Sequence, residues 1–124
     1  MANAKTRKIL CTAHAQGSCH DFKLYEASVG GAVPDAVRLK ADSGYPGLLR
    51  LHRNSELPTK KPKGGELTAE EKAGNRRLSR ERILIENINA KIKVFKITAN
   101  KYRNRRKRFS LRMTLIGGLV NYEL

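Results

Sequence analysis

The 124-residue sequence has no Trp, four Tyr, three Phe, two Cys and only 11 acidic residues against 26 Lys and Arg. Each shortage excludes something. So few aromatics leave no aromatic-rich strand on which the bases of single-stranded RNA could stack. The two cysteines, Cys11 and Cys19, lie near His14 and His20, but the spacing is irregular and no second ligand pair follows, as a structural zinc site would require. They read as two reduced, structural cysteines of a cytosolic protein. Long apolar runs are missing too. RMTLIGGLVNY is too short to span a bilayer and carries Arg112 at its edge. The opening MANAKTRKILCTAHAQGS turns polar after a short strand-like run, unlike a secretory signal. No membrane anchor is expected.

The shortage of acids leaves a net charge of +15, concentrated late in the chain: from residue 60 onward there are 18 basic residues and 6 acidic ones. That asymmetry implies a polyanionic partner, nucleic acid first and an anionic membrane surface second. The length suits one domain with a single modest core.

Along the chain, KILCTAH (residues 8–14) reads as a strand ending at QGS. A helix follows, with Ser18 and Asp21 able to cap its start and Gly30 and Gly31 stopping it. AVRLKAD, Ala36 to Asp42, alternates like a second strand and ends at an acid. SGYPG turns the chain into a short helix through LLRLHR, and ELPTKK (56–61) reads as a third strand. Thr68 and Glu71 fit a capping box that opens a helix of about thirty residues, ending near Asn100. After the basic KYRNRRKR, Phe109, Met113, Ile116 and Val120 repeat at helical spacing, with Gly117 and Gly118 permitting close approach of another segment. There are no internal repeats. The order implies an α/β domain with helices packed on a sheet, and three short strands are few for the helices they must cover.

On the long helix at 100° per residue, Leu78, Leu84, Ile85, Ile88, Ile92 and Phe95 fall within an arc of roughly 120°, the expected core face. Arg82, Glu86, Asn89 and Lys93 form a second stripe centred roughly 90° away, so Glu86 is expected to border the core. Glu81 points away from it. An acid one turn after an Arg is ordinarily a helix-stabilising pair, and Asp before Ser-Gly is ordinary turn chemistry. Taken together, Asp42 at a strand end and Glu86 on a following helix can instead converge on hard cations, which prefer oxygen ligands.

HDFKLYE, LKADSGYPG, LPTKKPKG, ELTAEEKAGNRRLSRERILIENINAKIKVFKI and YRNRRKRFSLRMTLIGGLVNYEL together resemble the C-terminal part of a bacterial DDE transposase of insertion sequence family five, related to Harbinger-like elements. The resemblance runs from about Lys8 to Leu124. It implies a ribonuclease-H-like fold, a mixed sheet with packed helices, incomplete at the N-terminus, and makes residues 1–124 a partial catalytic domain. It implies DNA cleavage and strand transfer with two Mg²⁺ ions held by Asp, Asp and Glu, of which Asp42 and Glu86 match the second and third. It assigns Arg82 and Lys93 to DNA phosphates, while Ser79 stands where such transposases often carry Tyr. Arg103, Arg105 and Arg106 join the expected DNA-binding set as part of the basic cluster.

No acid precedes Lys8, where the family's first Asp would lie, and Asp21 reads as a helix-start residue. The expectation is a transposase fragment, inactive alone, with DNA ends and target, and full-length transposase or a second copy, as partners in the bacterial cytoplasm and nucleoid. The alternatives are a non-enzymatic basic DNA-binding protein or inhibitor of transposition, and, on charge alone, a ribosomal-type RNA binder.

Overall fold

The computed structural model describes residues 1–100 and 106–123. In chain order it contains α1 (Asp21–Ser28), β1 (Leu39–Lys40), α2 (Leu48–Leu51), β2 (Ser55–Glu56), α3 (Ala69–Lys93), α4 (Lys96–Ala99), a 3₁₀ turn at Arg106–Arg108 and α5 (Phe109–Tyr122). The chain divides into two compact units, Met1–His14 with Glu81–Leu124, and Ala15–Arg80.

In the Ala15–Arg80 unit, β1 and β2 pair in parallel, Leu39 opposite Ser55 and Lys40 opposite Glu56. This small parallel pair among helices is compatible with the expected α/β class. Both strands are shorter than the sequence suggests, for identifiable reasons. Ahead of β1, Val37 N donates to Pro34 O, and the carbonyls of Asp35, Ala36 and Val37 accept from the side chains of Asn54 and His52. Those backbone groups are therefore spent on a stapled turn. After β2, Pro58 has no N–H to donate, and Thr59 exchanges both its backbone groups with the Asn75 side chain at 2.8 and 3.0 Å instead of a strand. The third strand expected at 56–61 is thus reduced to Ser55–Glu56.

Leu48 and His52 are the buried residues of this unit. His52 Nε2 donates to Val37 O at 2.6 Å and its own carbonyl accepts from Ser55 Oγ at 2.6 Å, so one ring ties the α2 end to both strand entrances. Phe22 and Tyr25 of α1 meet Tyr45 edge-on. Gly47 lies beneath the Phe22 ring, where a Cβ would stand 2.5 Å from it. The cap of α1 is His20, whose Nδ1 accepts from Phe22 N, rather than Ser18; Asp21 does occupy the first turn.

The capping box is realised at the start of α3: Glu71 N donates to Thr68 Oγ1 and Thr68 N to Glu71 Oε2. The helix stops at Lys93, earlier than Asn100. Its last amides close onto carbonyls three residues back, and Thr98 Oγ1 donates to the carbonyls of Ile92 and Phe95, after which α4 resumes for one turn.

In the unit formed by the chain's two ends, Ile88, Ile116, Gly117 and Val120 are buried. Segment 8–14 makes a single antiparallel bridge, Ala2 with Ile9, rather than a strand in a sheet. Its backbone groups are claimed elsewhere: Ile9 N donates to Asn121 Oδ1 at 2.7 Å, Asn121 Nδ2 donates to Ile9 O at 2.8 Å, and the N-terminal ammonium donates to Cys11 O. Gly117 gives Ile9 and Thr12 room to approach α5, with 3.7 and 3.8 Å from their methyls to the position of a Cβ. Nothing comes near Gly118.

Two substitutions on α5 separate these roles. Asn121→Ala strands both Ile9 groups and is expected to cost about 2 kcal/mol in urea unfolding. Gly118→Ala, with open space around it, is expected to stabilise by up to about 1 kcal/mol in the same measurement.

Candidate functional site

The stripe expected on α3 is present and lies at the surface: Arg82, Glu86, Asn89 and Lys93 are all exposed. Glu86 does not border the core. Its side chain is 61% exposed, because the buried residue of that stretch is Ile88 alone, while Ile85 is 38% exposed and Leu78, Leu84, Ile92 and Phe95 are half-buried. The core face is therefore narrower than the apolar arc.

Arg82 Nε lies 3.3 Å from Glu86 Oε1, one turn apart along the helix. At this exposure the pair adds a few tenths of a kcal/mol at most, so its main effect is orientation. Lys93 stands two turns beyond Glu86 on the same face, and no ion-pair partner for it exists among the described residues. From Arg82 to Lys93 the helix advances about 16 Å.

Asp42 lies two residues beyond β1 in the Ala15–Arg80 unit, whereas Arg82, Glu86 and Lys93 belong to the other. Its exposed side chain accepts from Ser43 N at 2.7 Å, and its carbonyl accepts from Tyr45 N at 3.1 Å. This is the turn chemistry that Asp-Ser-Gly suggests. One carboxylate oxygen is thereby fixed by the backbone, which sets the direction of the other.

Tyr45, which the sequence did not single out, lies within electrostatic reach of two acids. Burial raises its phenol pKa first, and the carboxylates of Asp21 and then Asp42 raise it further. Asp21 thus acts on Tyr45 alongside Asp42, besides opening α1. The signal available beforehand was the closeness of Tyr45 to Asp42 in DSGY.

Arg103 and Arg105 lie outside the described residues, and Arg106 begins the 3₁₀ turn. Of the four residues near the chain start that resembled metal ligands, His20 caps α1, and His14 packs edge-on against Phe109 at 4.9 Å and contacts Ser110 Oγ at 3.1 Å. Among the described residues no three His, Cys, Asp or Glu side chains gather into a metal-binding group. No helix among them is long and apolar enough to cross a membrane.

The family model for DDE superfamily endonucleases matches residues 1–121. This chain belongs to that family. It is also 47% identical over 120 residues to a probable transposase for insertion sequence element IS702 from Microchaete diplosiphon. The match takes in 97% of this chain and 43% of that relative, so the chain spans less than half the relative's length. No solved structure matches. DDE endonucleases depend on divalent metal ions, and such hard cations prefer oxygen donors.

The setting of Asp42 is testable through Tyr45. In the folded state the phenol keeps its proton at a pH where the unfolded chain has released it, so stability is expected to fall as pH rises above about 10. Asp42→Asn removes a negative charge that opposes the phenolate. The Tyr45 ring resonance, followed by NMR against pH, is expected to titrate at lower pH in that variant.

Proposed function

We propose that the chain is part of the catalytic domain of an insertion-sequence transposase, of ribonuclease-H-like fold, acting on DNA. The observation that carries the reading is the exposed α3 stripe, in which an acid is flanked by Arg82 one turn before it and Lys93 two turns after it, within a chain of the DDE family. In this reading Asp42 and Glu86 are two of the three carboxylates that hold Mg²⁺. Two such ions, when bound, activate a water or hydroxyl and stabilise the leaving oxygen of a phosphodiester.

The protein's own residues do the positioning. Ser43 N–H fixes one oxygen of Asp42, and Arg82 orients Glu86 while carrying a charge toward the DNA. Lys93, with Arg103, Arg105 and Arg106 from the basic cluster, contacts backbone phosphates, where charge-assisted hydrogen bonds position the strand and offset developing negative charge. DNA as partner places the protein at the bacterial nucleoid.

Residues 1–124 provide the second and third carboxylates but no acid in the first seven residues that could act as the first. Leu111, Leu115 and Leu119, one turn apart on α5 and each more than half exposed, support the reading of a partial domain. Full-length transposase or a second copy of the chain is the natural partner for such a surface. On its own the chain then binds DNA without cutting it, and its charge of +15 favours the role of a non-enzymatic binder or inhibitor as the second reading.

The deciding measurement is nicking of supercoiled plasmid with Mg²⁺ or Mn²⁺. The chain alone is expected to be inactive, and cleavage that disappears on Glu86→Gln would overturn that expectation. Joined to the rest of the IS702 relative, the chain is expected to cleave, and Glu86→Gln to lower the rate by at least about 100-fold. An unaffected rate would remove Glu86 from the site.

A further inference from the structure

A cleft of about 240 Å³ in the Ala15–Arg80 unit is lined by Arg38, Arg53, Asn54, Ser55 and Glu56. Arg38 immediately precedes β1 and Arg53 lies two residues before β2, so the parallel register, Leu39 opposite Ser55, sets the two arginines on neighbouring backbones. Both are exposed, and neither has a hydrogen-bond or ion-pair partner among the described residues.

The charges around the cleft do not cancel. Glu56, the acid in its lining, is paired with Arg77 through Oε1, and its Oε2 is buried without a hydrogen-bond partner among the described residues. That leaves two guanidinium groups uncompensated.

Their backbones are also held with unusual thoroughness. Asn54 Nδ2 donates to Asp35 O and Ala36 O, Leu39 N donates to Asn54 O, His52 Nε2 to Val37 O, and Ser55 Oγ to His52 O. This network ties the segment before β1 to the segment before β2 without consuming either guanidinium. Flexible chains on a rigid frame lose less freedom when a ligand is bound, and the planar fork of Arg matches two oxygens of a phosphate.

We propose that the Arg38–Arg53 cleft is an anchor for a DNA backbone phosphate. The inference rests on the DNA reading above and adds a contact that lies off the α3 stripe. Asp42 lies four positions beyond Arg38, so their backbones are at most about 14 Å apart. A phosphate held in the cleft therefore lies within a few nucleotides of whatever Asp42 acts on, at about 3.4 Å per nucleotide along the duplex.

The test is fluorescence anisotropy of a labelled duplex with the 124-residue chain, titrated at several salt concentrations. Each phosphate contact contributes about 0.9 to the slope of log affinity against log salt. For Arg38→Gln/Arg53→Gln the slope is expected to fall by about 0.9, the share of one phosphate. The loss of affinity between about 50 and 200 mM salt then becomes roughly threefold smaller than for the unaltered chain. Lys60→Gln/Lys61→Gln removes the same charge from the loop beyond β2 and is expected to leave the slope nearly unchanged. Arg38→Lys/Arg53→Lys, which keeps the charges, is expected to keep most of the slope. An unchanged slope in the glutamine variant, or an equal fall in the Lys60/Lys61 control, overturns the cleft while leaving DNA binding intact. Absence of DNA binding by the unaltered chain overturns the functional reading as well. Loss of the cleft's contribution in millimolar inorganic phosphate, against chloride at equal ionic strength, assigns the cleft to free anions and overturns the assignment to DNA.

Discussion

The amide of Asn121 accepts from Ile9 N–H and donates to Ile9 C=O, joining residues 112 positions apart. A single side chain here does what a neighbouring strand would do for two ladder bonds. The consequence runs through the unit. With its backbone satisfied by an amide on α5, segment 8–14 needs no sheet, and its Ile9 and Thr12 methyls settle over Gly117. The same device recurs in the other unit, where Asn75 serves Thr59, and where Asn54 and His52 serve residues 35–37.

These polar clamps follow from composition. Among the described residues the buried apolar side chains are Leu48, Ile88, Ile116 and Val120, a small core for a chain with 37 charged residues. Apolar burial stabilises by about 25 cal/mol per Å², so a core this thin leaves backbone placement to directional bonds. Such bonds are modest individually, but a buried backbone group left without one costs more than the bond contributes. Side-chain amides that satisfy an N–H and a C=O together are therefore effective fasteners, and they leave Lys and Arg unspent at the surface.

How much of this was legible in the sequence depends on the range of the interaction. The Thr68–Glu71 box, the length of α5 and the burial of Ile116 and Val120 follow from spacings of three and four residues, and the structure has them. Strand lengths were overestimated because alternation in AVRLKAD says nothing of Asn54 and His52, whose side chains take the carbonyls that a ladder would use. Helical angles correctly put Arg82, Glu86, Asn89 and Lys93 on one stripe. They could not tell how wide the buried face beside it would be, because burial depends on what covers the helix rather than on the helix itself. Asp42 makes the turn hydrogen bond that Asp-Ser-Gly suggests, while its effect on Tyr45 emerges only in three dimensions.

The exposure of Glu86 bears on what such a site needs. A carboxylate buried against apolar neighbours resists ionisation and would meet a cation at the cost of desolvation. A carboxylate at the surface keeps its coordination freedom, but an exposed ion pair with Arg82 fixes it only weakly. Rigidity of the acid must then come from the helix that carries it, and α3 supplies that over 25 residues with a reciprocal cap at its start. The Arg38–Arg53 cleft follows the same division of labour: neutral side chains hold the frame, and the charged groups stay available for an anionic ligand. In a chain this basic, keeping structural duty on Asn, His and Thr leaves most of the positive charge at the surface.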